Sequence, residues 1–223
     1  MRQRIAASGR PFEDPACAGC SHLGTFRALR RAGVGVQGGL GCDPAATPSF
    51  ASMPGRWAAV SGVEAILRNP RSALDAARGA GASLFVVADC EPSLGDAVEA
   101  LLAAVGVEPR HLDPRDARGA EACVAQWISS ESLAVVVALA PCTRERPRGA
   151  AVEVLASRCN RCGSCVGLGC TAIADEGADA MCVDAELCTG CGLCVDLCRG
   201  RALRVCPPRA PLGLAARTAT PGC

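Results

Sequence analysis

C-N-R-C-G-S-C-V-G-L-G-C (residues 159–170) and C-T-G-C-G-L-C-V-D-L-C (residues 188–198) decide how this chain is read. Each run is a C-x2-C-x2-C triplet followed by a fourth Cys, so eight thiols arrive as two near-copies. That is the ligand supply of two [4Fe–4S] clusters, in which the last Cys of each run serves the other run's cluster. The rule assigns Cys159, Cys162, Cys165 and Cys198 to one cluster. Cys188, Cys191, Cys194 and Cys170 go to the other.

The spacing has a steric reason. A loop wrapping one face of a cubane needs small or turn-tolerant residues, and Gly163, Ser164, Gly190 and Gly192 supply them. Backbone N–H groups of such loops also point at sulfur and tune the potential. Zinc would call for four ligands per ion, often as C-x2-C pairs. A disulfide framework belongs to small secreted chains, and no secretory apolar segment is visible here. The region therefore reads as a bacterial-type, α+β ferredoxin-like domain with two clusters. Two departures stand out: the first run has a four-residue gap before Cys170, and Thr171 and Arg199 follow the last Cys where Pro is usual. Arg199 would place a positive charge beside a cluster and favour its reduced form.

Working outward, a chain of 223 residues that is 50% hydrophobic can hold one ordinary domain and a small one. Aromatics are 3% and Tyr is absent, so Ala, Val and Leu must build the core. All 23 basic residues are Arg, which excludes Schiff-base, Walker-A and general-base lysine chemistry. A net charge of +1 with Arg scattered along the chain argues against nucleic acid. No apolar run is long enough to span a membrane. Seventeen Cys without a leader-like segment point to a reducing cytoplasm.

Residues 1–15 read as a polar arm. Leu23, Phe26 and Leu29 mark a helix over Ser21–Ala32 that stops at Gly33. V-G-V-Q-G-G-L-G (34–41) is a short strand entering a Gly-rich loop. Helices are expected over Ser61–Leu67 and Pro70–Arg78, the second with Pro at its first turn. S-L-F-V-V-A-D (83–89) and L-A-V-V-V-A-L-A (133–140) are buried strands. Between them lie a helical stripe from Leu94 to Val105, N-capped by Ser93, and a helix over 119–130. This alternation predicts an open parallel α/β sheet over residues 16–143, then a linker (144–151), the ferredoxin-like domain (152–206) and a disordered tail (207–223).

A second set of thiols lies in the α/β part. Cys17-x2-Cys20 opens the first helix, Cys42 follows the first strand, and Cys142 follows the last. Strand ends and helix starts share one edge of a parallel sheet, so these four are placed to converge. Four thiols match the stoichiometry of a third [4Fe–4S] cluster; a zinc site and unliganded buried thiols are the alternatives. Cys90, also at a strand end, is a spare candidate. Cys123 reads as core, and Cys182, Cys206 and Cys223 as non-ligands. His22 at a helix start is either an anion contact or a solvated cap, and His111 carries no signal.

These residues resemble the alpha subunit of indolepyruvate:ferredoxin oxidoreductase and, more broadly, the 2-oxoacid:ferredoxin oxidoreductases. C-A-G-C-S-H (17–22) is similar to that family's C-P-G-C-P-H, G-L-G-C-D (39–43) to its D-I-G-C-Y, and A-P-C (140–142) to the Cys closing its diphosphate-binding domain. The four-residue gap before Cys170 matches as well. The resemblance covers about residues 12–205, weakly between 43 and 132. It implies a thiamine diphosphate-type domain joined to a ferredoxin domain. It also implies a chemistry in which a 2-oxoacid is decarboxylated, captured on coenzyme A, and its electrons passed to ferredoxin. Here the C-A-G-C motif comes at residue 17, the metal-binding G-D-S/G segment expected after Met53–Ile66 is missing, and the family's D-N reads Asp89-Cys90. His22 and Asp89 then remain of a degenerate thiamine diphosphate and Mg2+ site. The expectation is an iron–sulfur electron-transfer subunit that works with a partner subunit and with ferredoxin or a similar redox protein. The alternatives are a catalytic 2-oxoacid oxidoreductase subunit whose thiamine site a partner completes, and a redox-sensing or maturation factor.

Overall fold

Three short Ala- and Val-rich strands, buried on both faces, and two more exposed edge strands make a five-stranded parallel sheet. The computed structural model describes residues 17–42, 55–129, 132–175 and 180–206. The strands are β1 (Gly35–Gly38), β2 (Trp57–Ser61), β3 (Leu84–Asp89), β4 (Arg110–His111) and β5 (Ala134–Leu139), in the order β1-β2-β3-β5-β4. β3 and β5 lie at the centre, register Leu84 opposite Ala134 and Asp89 opposite Leu139, and are buried along nearly their whole length. That is why they were legible as continuous apolar runs.

Helices cover both faces. On one side α1 (Leu23–Arg31) and α5 (Ala117–Trp127) enclose Phe26, Leu29, Val86, Val124 and Val136. On the other, α2 (Val63–Arg68), α3 (Pro70–Gly79) and α4 (Gly95–Ala104) enclose Trp57, Ile66, Leu74, Phe85 and Leu102. Asn69 caps α3 by accepting the Ser72 N–H at 3.0 Å, with Pro70 at the first turn.

Several expectations need correction. Trp57–Ser61 is a fully buried strand, so the following helix starts at Val63 rather than Ser61. W-A-A-V-S has one β-branched apolar residue and too little length to announce itself. Ser93 caps nothing: its hydroxyl bonds Glu91, and a 3-10 turn (Pro92–Leu94) precedes α4. The C-terminal helix of the sheet starts at Ala117, capped by Asp116 accepting the Gly119 N–H at 2.9 Å. The predicted arm (1–15) and tail (207–223) lie outside the described residues.

The second module holds two small antiparallel ladders. β6 (Val152–Val154) pairs with β9 (Leu203–Val205), and β7 (Ile173–Ala174) with β8 (Cys182–Val183). Between β8 and β9 runs the five-residue α6 (Leu193–Leu197). The stretch read as a linker is tied down: Gly149 N–H donates to the Thr189 carbonyl at 3.0 Å, and Arg148 to that of Glu186 at 2.7 Å. The two modules share a core in which Leu23 and Ala117 meet Leu168, Leu193 and Leu197.

Candidate metal centres

Arginines of α1 lock the first Cys run onto the sheet domain. Arg27, buried, donates to the Ser164 carbonyl at 3.0 Å and pairs with Glu121 of α5 at 2.6 Å. Arg30 donates to the carbonyls of Gly167 and Leu168 at 3.2 and 2.9 Å. Three carbonyls of a loop without helix or sheet partners are thereby answered. Gly169, at φ 78°, lies under the Arg30 guanidinium, which any Cβ would displace.

Within that frame the thiols of the two runs gather into two groups. Cys159, Cys162, Cys165 and Cys198 line one internal cavity with Val154, Met181 and Leu203. Burial pushes the Cys165 thiol up, and the neighbouring Cys198 and Cys159 add to it. Cys194 is pushed up to about 12 by burial, then by Cys191, Cys170 and Cys188, and last by Cys165. Cys170 of the first run therefore stands with the second run's triplet, and Cys198 with the first. The Cys165–Cys194 pair joins the two groups. Backbone N–H groups already face these sulfurs: Val152 and Gly190 reach Cys188 at 3.4 and 3.5 Å, and Ala202 reaches Cys198 at 3.2 Å. Donors placed this way stabilise thiolate and cluster sulfur. Cys162 is held low by the Ser164 hydroxyl first, with Arg199 a smaller contribution.

The thiols of the sheet domain converge too. Cys20, buried at the mouth of α1, is pushed up to about 12 by burial, with Cys42, Cys17 and Cys142 as charged neighbours. The spare candidate Cys90 is among them: it is hydrogen-bonded to Cys42 and raised by burial, Cys42, Cys142 and Cys20. Five thiols thus gather on the carboxyl edge of the sheet, as the topology requires. Arg144 donates to Cys17 Sγ at 3.8 Å. Among the described residues, no three Cys, His, Asp or Glu side chains close on a single-ion point. The donor chemistry of these thiols fits a [4Fe–4S] cluster, and four of them would equally fill a tetrahedral zinc shell.

One contact joins this site to the next. Gly19, inside the Cys17–Cys20 loop, donates its N–H to Cys170 Sγ at 3.4 Å. A Cβ on Gly19 would fall 1.9 Å from the Thr189 hydroxyl, between Cys188 and Gly190.

Thiamine diphosphate fares differently. Asp89 turns its carboxylate onto the start of α2, accepting the Val63 N–H at 3.0 Å, and nestles against Gly41 and Gly62. A carboxylate of the chain itself thus answers the Val63 N–H at the start of this six-residue helix, where a bound anion would meet its negative charge. His22 is fully buried, its Nε2 3.0 Å from the Asp89 carbonyl, and burial holds its pKa down. The residues present do not fit the cofactor.

Residues 181–204 match the family described as a 4Fe-4S binding domain, a stretch that contains the whole second run. The chain is therefore an iron–sulfur protein of the electron-transfer class, with at least one cluster, whose binding module is fused to a parallel α/β sheet. It is similar to the indolepyruvate oxidoreductase subunit IorA of Methanothermobacter marburgensis, 30% identical over 111 residues. The aligned stretch is 48% of this chain and 18% of that protein. No solved structure matches. Among the described residues, no helix is long and apolar enough to cross a membrane.

Proposed function

We propose that the chain is the electron-relay subunit of an oxidoreductase complex related to indolepyruvate oxidoreductase, with three cluster sites in series. Cys17, Cys20, Cys42 and Cys142 hold the first. Cys188, Cys191, Cys194 and Cys170 hold the second, and Cys159, Cys162, Cys165 and Cys198 the third. When bound, the clusters supply one-electron storage and transfer. The chain's residues do the rest. Gly19 carries the reading, because its N–H on Cys170 sets the first thiol group directly against the second. Cys165 beside Cys194 continues the series. Met181, Val154 and Leu203 give the third site an apolar wall, with Cys162 at its exposed side, and the N–H groups of Val152, Gly190 and Ala202 hold negative sulfur. Electrons leave to ferredoxin or a similar carrier. The position of the Asp89 carboxylate speaks against a catalytic thiamine role for this chain.

Iron and acid-labile sulfide per chain, measured on anaerobically purified protein beside a Cys17→Ser/Cys20→Ser variant, test this. About 12 iron atoms falling to about 8 supports three sites. About 8 in both confines the metal to residues 159–198 and removes the first site from the series.

A further inference from the structure

Arginines scattered in sequence gather in the fold. Arg118 of α5 and Arg158, Arg199, Arg201 and Arg204 of the second module surround a concave depression of about 950 Å³. Asp196 is the one carboxylate among the lining residues. Arg204 is engaged by Glu153 across the β6–β9 ladder. Among the described residues, Arg118, Arg158, Arg199 and Arg201 have no carboxylate partner, and all four are exposed. Cys198 lines both this depression and the internal cavity of the third thiol set.

From this juxtaposition we infer that the arginine depression is the docking site of an acidic electron-carrier protein. The inference deepens the relay reading and rests on it. Unpaired cations in such density repel one another, and an incoming acidic surface relieves that repulsion. Guanidinium forks match carboxylates in geometry as well as charge. Small-molecule pockets are mostly apolar and enclose their ligand; this surface is wide and arginine-lined. Its place beside Cys198 brings a docked carrier to the end of the series. Arg118 comes from the sheet domain, so the surface is complete only with both modules in place.

The test is calorimetric binding of oxidised, acidic plant-type [2Fe–2S] ferredoxin to the full, cluster-loaded chain at low and high ionic strength. Basic cytochrome c and inorganic polyphosphate serve as controls. Arg118→Glu/Arg201→Glu should weaken ferredoxin binding roughly 10- to 100-fold at low salt and flatten its salt dependence, with iron content unchanged. Arg118→Gln, a milder change on a solvent-facing helix position, should give a smaller loss in the same direction. Unaltered affinity in both variants would overturn the docking site, as would binding of polyphosphate without ferredoxin. Electron transfer to benzyl viologen separates the two readings: the clusters are first photoreduced with deazaflavin and EDTA as the electron donor, and oxidised dye is then added in the dark. A chain that passes those electrons to the dye but does not bind ferredoxin keeps the relay and loses the docking site; one that binds ferredoxin but passes no electrons to the dye keeps the docking site and loses the relay.

Discussion

Gly19→Ala is the sharpest probe of how the two modules meet. Gly19 sits at φ 68°, where an L-residue costs roughly 1–2 kcal/mol. Its new methyl would lie 1.9 Å from Thr189 Oγ1, 3.1 Å from Cβ and 3.3 Å from Cγ2. The hydroxyl is buried and has no hydrogen-bond partner, so it cannot swing away into solvent without moving the loop. Overpacking of this kind costs about 1–3 kcal/mol, for a total of ~2–5 kcal/mol. For a chain of this size that lowers the midpoint of thermal bleaching near 400 nm by roughly 5–20 °C. Gly19→Ala/Thr189→Gly removes every clashing atom and should recover all but the backbone cost of ~1–2 kcal/mol relative to Thr189→Gly alone. A Gly19→Ala protein that bleaches with the parent would refute the contact. So would a double variant no better than the single one.

Other expectations can be checked alongside. Arg27→Met leaves Glu121 with Arg31 alone and strips the Ser164 carbonyl of its partner, and should cost ~1–3 kcal/mol, seen as earlier bleaching of the iron–sulfur absorbance. Arg199→Gln removes a positive charge that favours the Cys162 thiolate, so one cluster midpoint should fall by on the order of 10–40 mV in a redox titration. In the metal-free protein Cys20 and Cys194 are pushed from 9.0 to about 12. Folded thiols therefore keep protons that the unfolded chain gives up above pH 9. Metal-free stability to urea should be full below pH 9 and decline as pH rises toward 12, while apparent iron affinity keeps climbing over the same window as bound protons are released.

The grouping of the thiols of residues 159–198 was legible because a cubane demands particular spacings within a short stretch, and the repeat itself places Cys170 near the second triplet and Cys198 near the first. Cys17, Cys20, Cys42 and Cys142 could be gathered from topology alone, since β1, β5 and α1 end or begin on one edge. Cys90 was underweighted. It follows β3, the central strand, and the same edge rule applies to it. Arg27 and Arg30 were invisible, because nothing in an amphipathic helix says that its arginines will answer carbonyls 137 and 138 residues away. The arginine depression was misread for the same reason: Arg118 and Arg199 become neighbours only through the meeting of α5 with the second module.

The bond between Gly19 and Cys170 spans 151 positions of chain. On a ribosome adding roughly 5–20 residues per second, Cys17 and Cys20 emerge about 8–30 s before the loop that covers them. During that interval α1 can pack on β1 and α5 but lacks the loop that ends at Cys170, and two thiols stand open to oxidants and stray metals. The covering of the Cys17–Cys20 loop thus waits on a segment made much later, and the second module completes the surroundings of the first helix.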